Sequence, residues 1–151
     1  MCGIAGFWTK SLENSANWLE NSASLMANTL VHRGPDDSGT WIDQRVGIAF
    51  GHRRLSIIDT SHAGHQPMIS SDSRYVISYN GEVYSFLELR QELEKKGHSF
   101  KGQSDTEVML ASFVEWGVEA SLERFDGMFA FAVWDRRDRL LWLARDRIGE
   151  K

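Results

Sequence analysis

MFAFAVWDRRDRLLWLARD (128–146) is the stretch that decides the fold class. Two apolar runs, 128–135 and 139–146, flank the charged turn RRD and read as a hairpin of largely buried strands. Working outward, SDTEVMLASFVEWG (104–117) reads as a helix, with Ser104 and Glu107 at capping-box spacing and Gly117 at its end. SFLELRQELEKKG (85–97) repeats the device with Ser85, Glu88 and Gly97. YVISYN (75–80) is β-rich, and short strands are expected at TWID (40–43), VGIAFG (46–51) and LSIID (55–59). HAGHQPM (62–68) is turn-rich, and HRGPDDSG (32–39) reads as a loop. ANWLENSASLMANTLV (16–31) carries Leu19, Ala23, Met26 and Leu30 at helical spacing. CGIAGFW (2–8) reads as a strand, apolar throughout and expected to be buried on both faces.

Strands therefore come in groups instead of alternating one-for-one with helices, which argues against a parallel doubly wound sheet. The expected class is α+β: two sheets packed together with helices outside. The 151 residues suffice for one domain with a proper core. Hydrophobic content of 42% and charged content of 25% are ordinary for a globular protein. Seventeen basic against 21 acidic residues give a net charge of −4 with no basic stretch, so nucleic acid is not an expected partner. Residues 1–9 are apolar, but Lys10 and Glu13 end the run too soon for a targeting segment or a membrane span. The single cysteine allows no internal disulfide and fits a reducing compartment, so a cytoplasmic setting is expected.

That cysteine is Cys2, in MCGIAGF (1–7). Loss of Met1 would leave one residue carrying both a thiol and a free α-amine. An α-amine titrates near ~8, so an appreciable fraction is free to accept the thiol's proton near neutral pH. The same seven residues also fit a small buried hydrophobe. A nucleophile attacking an amide needs oxyanion donors, charged groups to hold substrate and a loop to exclude water. YNGE (79–82) offers the Asn80 amide and the Gly81 N–H, although Asn-Gly alone reads first as a hairpin turn. HRRLSIID (52–59) offers two arginines, one of which would take a carboxylate bidentately. Asp105 opens a helix, where an acidic residue also serves the helix dipole. His32, His52, His62, His65 and His98 show no ligand spacing, so no metal is expected. No G-x-S-x-G elbow supports a serine hydrolase.

Together, MCGIAGF, HRGPDDSG, GHRRLSIID, HQPM, YNGEVY, SDTEV, DGMFAFAVWD and ARDRIG resemble the glutaminase domain of class II, N-terminal-nucleophile glutamine amidotransferases. The closest likeness is to the glutamine-hydrolysing asparagine synthetases. The motifs occur in the family's order across nearly the whole chain, which is far more specific than any one of them. The resemblance implies the four-layer αββα sandwich, here expected without its last strands. It also implies that residues 1–151 are a C-terminally incomplete glutaminase domain with no synthetase domain.

By the same resemblance Cys2 is the nucleophile, and Asn80 and Gly81 form the oxyanion hole. Arg54 binds the glutamine α-carboxylate, while Glu82 and Asp105 lie near its α-amine; Arg53 receives no role. Arg33, Gly34 and Pro35 belong to the loop over the site. Nothing resembles the pyrophosphate-binding SGGxDS motif, so no cofactor is expected in this chain, and ATP and Mg belong to the synthetase part. The implied partners are glutamine and a synthetase domain or subunit that accepts the ammonia, with no membrane and a homodimer left open. A free-standing glutaminase subunit for another amide-forming synthetase, and a non-catalytic truncated fragment, are the alternatives.

Overall fold

The computed structural model describes residues 1–11 and 13–151. They form two compact units, Met1–Ser56 with His65–Pro67, and Ile57–Gly64 with Met68–Lys151. Strands are grouped and antiparallel in both units, and each sheet carries its helices, so the chain is α+β as the hairpin at 128–146 implies.

The first unit contains β1 (Gly3–Trp8), α1 (Ala16–Asn28), β2 (Asp37–Asp43) and β3 (Ile48–Arg54), with sheet order β1-β3-β2. Ser15 starts α1 by accepting a hydrogen bond from Trp18 N at 3.2 Å. The buried stripe of α1 runs Leu19, Ala23, Ala27, and it packs on Ala49 with Phe7 and Ile42 beside it. Met26, expected on that stripe, is 40% exposed, because the face turned to the sheet follows the 19-23-27 spacing. The helix also stops at Asn28, short of the expected residue 31. β1 is an edge strand whose Trp8 is 52% exposed, so it is not buried on both faces as its apolar run suggested. β2 begins at Asp37, inside the expected loop.

LSIID (55–59) is not a strand. Its first two amides are claimed by side chains: Leu55 N donates to Cys2 Sγ at 3.4 Å and Ser56 N to Asp36 Oδ2 at 2.8 Å. Backbone donors satisfied this way have no need of a ladder.

The second unit contains β4 (Met68–Ile69), β5 (Tyr75–Val83), α2 (Phe86–Lys95), α3 (Asp105–Trp116), α4 (Val118–Arg124), β6 (Gly127–Asp135) and β7 (Leu140–Arg145). Its sheet order is β4-β5-β6-β7. Tyr75, Ile77 and Tyr79 of β5, with Phe129, Phe131 and Val133 of β6, share one core with Leu93 of α2 and Met109 and Phe113 of α3. By strand alternation, Asn80 and Glu82 stand on the opposite face of β5.

β5 does not turn at Asn80-Gly81. It continues to Val83, pairing Asn80 with Ala130, Gly81 with Phe129 and Val83 with Gly127. Gly81 has φ +153°, and a Cβ there would run into the Met128 carbonyl oxygen, so the close approach of β6 demands glycine. Ser104 caps α3 by accepting from Glu107 N at 3.3 Å, but Ser85 makes no cap on α2 and instead accepts from Asp126 N at 3.2 Å. α4 carries no marked start in the sequence and was not expected. β7 lies at the sheet edge with Leu143 74% exposed, so this half of the hairpin is not buried.

Candidate active site

The end of the first sheet carries chemically capable side chains. β3 pairs Arg53 with Gly3 of β1 and Arg54 with Asp37 of β2. Cys2 immediately precedes Gly3, and its Sγ meets the backbone of Leu55, the residue after Arg54, so Cys2, Arg54 and Asp37 sit at one end of this sheet. Alternation along β3 also separates its two arginines. Ala49 packs on α1 and a Cβ on Gly51 would lie 3.1 Å from Ala27 Cβ, so Arg53 shares the α1 face and Arg54 points the other way with His52.

Cys2 is half-buried, its Sγ fixed by Leu55 N at 3.4 Å and 3.7 Å from Leu55 O. Arg33 donates from Nε to the Cys2 carbonyl oxygen at 3.1 Å. Gly34 is buried where a Cβ would collide with the Arg53 carbonyl, and Pro35 is exposed. Arg54 is 7% exposed. Arg53 is half-buried, and its Nε has no hydrogen-bond partner among the described residues.

The second unit carries the other expected residues. Asn80 is 8% exposed, and its side-chain amide has no hydrogen-bond partner among the described residues. Gly81 and Glu82 follow it on β5, half-buried. Asp105, 4% exposed at the start of α3, accepts from the Tyr79 hydroxyl at 2.6 Å and from Val83 N at 3.0 Å, which ties α3 to the same end of β5. Burial pushes the Asp105 carboxyl above the ordinary range, against the pull of these donors.

A glutamine amidotransferase domain is matched by residues 1–151. The chain belongs to that family. Among curated relatives, asparagine synthetase [glutamine-hydrolyzing] 1 of Bacillus subtilis is 44% identical over 151 residues, covering all of this chain and 23% of its own length. A putative asparagine synthetase [glutamine-hydrolyzing] of Mycobacterium tuberculosis is 43% identical over 162 residues, covering all of this chain and 24% of its own length. The amidotransferase chain thus spans about a quarter of the length of these relatives. Among solved structures, the glutamine phosphoribosylpyrophosphate amidotransferase of B. subtilis, complexed with ADP and GMP, matches with a TM-score of 0.69 at 21% identity. The match covers 98% of this chain and 37% of that one, so the two share a fold over this length.

Two further residues of this amidotransferase chain meet at this end of the sheet without having been singled out in the sequence as a pair. Asp37 Oδ2 lies 2.8 Å from His65 Nδ1. Burial alone would raise the Asp37 carboxyl, but the His65 hydrogen bond and the charges of His65 and Arg54 hold it below the ordinary carboxylate range. His52, fully buried behind them on β3, is pushed down to about 3, chiefly by burial. No sequence signal joins positions 37 and 65; register and a close approach at Gly39 do so. Among the described residues, no group of three or more His, Cys, Asp or Glu is placed to hold a metal ion. No described helix is long and apolar enough to cross a membrane.

Proposed function

We propose that this chain hydrolyses glutamine to glutamate and ammonia, with Cys2 as nucleophile once Met1 is removed. The observation that carries the reading is the half-buried Cys2 thiol, held at 3.4 Å by the backbone N–H of Leu55, the residue next to the buried Arg54. A thiol beside a buried cation suits a substrate that offers a reactive amide at one end and a carboxylate at the other. The Cys2 α-amine takes the thiol proton, and the thiolate attacks the glutamine side-chain carbonyl. The Asn80 amide and Gly81 N–H are the assigned donors to the oxyanion. The carbon–nitrogen bond then breaks, ammonia leaves with the proton returned from the α-ammonium, and water hydrolyses the glutamyl thioester to glutamate and free thiol. Arg54 holds the α-carboxylate, Glu82 and Asp105 hold the α-amine, and Arg33, Gly34 and Pro35 cover the site.

The ammonia is destined for a synthetase domain or subunit that makes asparagine from aspartate with ATP and Mg. The names of the curated relatives support asparagine as the product. A cytoplasmic setting fits the single free cysteine. A homodimer would register as twice the 17.2 kDa chain mass in sedimentation.

The test is glutamate release from glutamine without ATP, beside intact-mass analysis of the amino terminus. Met1, which is 56% exposed, is expected to be absent from the active protein. Cys2→Ala is expected to abolish release, and Asn80→Ala to lower kcat by roughly 10²–10³. Unchanged release from Cys2→Ala, or full activity with Met1 retained, would overturn the assignment.

A further inference from the structure

Arg54 poses a problem that the catalytic roles do not solve. A guanidinium that is 7% exposed needs a counter-charge, yet part of its donor fork must face a substrate carboxylate. Asp37 is its cross-strand partner on β2, and the Arg54 charge is one of the influences that lower the Asp37 carboxyl. A carboxylate placed there could close on Arg54 bidentately and compete with the substrate.

Both Asp37 oxygens are already engaged elsewhere. Oδ1 accepts from Ser38 N at 2.7 Å, and Oδ2 faces His65 Nδ1 at 2.8 Å. An ionised carboxylate only accepts, so His65 Nδ1 carries the hydrogen. The segment that brings His65 here is seated directly on the sheet: a Cβ on Gly39 would lie 2.7 Å from His65 Nε2 and would collide with the Gln66 carbonyl oxygen. Glycine at position 39 is what lets His65–Pro67 come so near, in a chain where position 65 is otherwise far from position 37.

We infer that His65 is a positioning residue for substrate binding: by holding Asp37 Oδ2 it keeps that carboxylate beside Arg54 as a counter-charge while restraining it from closing on the guanidinium in place of an incoming α-carboxylate. The inference rests on the assignment of Arg54 to glutamine's carboxylate. It gives Asp37 two opposed effects, compensation of a buried cation and competition for it, with His65 deciding the balance.

The experiment measures glutamine KM and kcat for the full chain. Removing one hydrogen bond to a charged group in His65→Ala should raise KM roughly tenfold. kcat should change little, because the carboxylate end of the substrate does not react. His65→Asn, whose amide nitrogen falls near Nδ1, should restore KM towards that of the parent chain. The decisive variant is His65→Ala combined with Asp37→Asn, which removes the competitor and should bind glutamine more tightly than His65→Ala alone. A merely structural role predicts the reverse, a double variant at least as impaired as the single one. That result, or an unchanged KM in His65→Ala, would overturn the inference while leaving glutamine hydrolysis intact. Titration of the same variants with glutamate, which carries the same α-carboxylate, reads the pair without turnover. If the parent chain binds glutamate but releases none from glutamine, only the catalytic assignment fails; if it binds no glutamate, both fail.

Discussion

In the first unit α1 meets its sheet through Leu19, Ala23 and Ala49, whereas in the second α3 meets β5 and β6 through Phe113, Phe131 and Tyr75. The small-residue contact lets a helix approach so closely that Gly51 has no room for a methyl group beside Ala23 O and Ala27 Cβ. The aromatic contact instead fills space, with Phe113 within 5.6–6.0 Å of the Tyr75, Phe125 and Phe131 rings. One unit is set by what cannot be added and the other by what cannot be removed. The difference also tells where charge is carried. The narrow unit places His52 and Arg54 on the sheet face away from its helix, while the aromatic unit concentrates its apolar area on the helix side.

The largest effect is expected where space is filled. Phe113→Ala, at a fully buried position in the aromatic cluster, should cost about 3–5 kcal/mol in urea denaturation. The narrow contact should respond to the opposite change. Gly51→Val drives a branched side chain against the α1 backbone and should cost roughly 1–3 kcal/mol. Ala23→Gly beside it removes only one methyl group. If Gly51→Val were harmless, or Phe113→Ala no worse than Ala23→Gly, the two contacts would not differ in kind.

The same contrast between local and distant determinants explains what the sequence discloses. The hairpin at 128–146 and the helices at 86–95 and 105–116 are written in local pattern, in alternation, Gly97 and Gly117 stops, and a Ser104 cap. The exceptions are positions where a distant group takes over a local signal. LSIID has strand composition, but Cys2 Sγ and the Asp36 carboxylate take its amides. Asn80-Gly81 has hairpin composition, but β6 is available to extend the ladder past it. Ser85 stands at capping-box spacing with Glu88, but its hydroxyl is engaged by Asp126 N. Of the proposed functional residues, Cys2, Arg54, Asn80, Gly81, Glu82 and Asp105 could be nominated from the sequence because residue type and motif order point to them. The Asp37–His65 pair was not, since its contact depends on register and on the missing side chain at Gly39.

The smallest effect sharpens the comparison through pH. Asp37 in the first unit and Asp105 in the second are shifted in opposite directions. His65 and Arg54 hold Asp37 below the ordinary value, whereas burial lifts Asp105 above it. An unfolded aspartate titrates near ~3.9. Below that value the unfolded chain binds a proton at position 37 that the folded chain resists, so the contribution of Asp37 is present above ~3.9 and lost as pH falls through its folded value. At position 105 the folded chain keeps its proton longer, so stability declines as pH rises from ~3.9 through the raised folded value. Asp37→Asn should therefore flatten the acid side of the urea-midpoint profile, and Asp105→Asn the limb just above it. The amide introduced by Asp105→Asn retains an oxygen to accept from Tyr79 and Val83, so loss of the charge is separable from loss of the hydrogen bonds. Equal slopes from both variants would mean that the two units handle their carboxyls alike. Opposite slopes tie each shift to its cause, a cationic neighbour in one unit and apolar burial in the other.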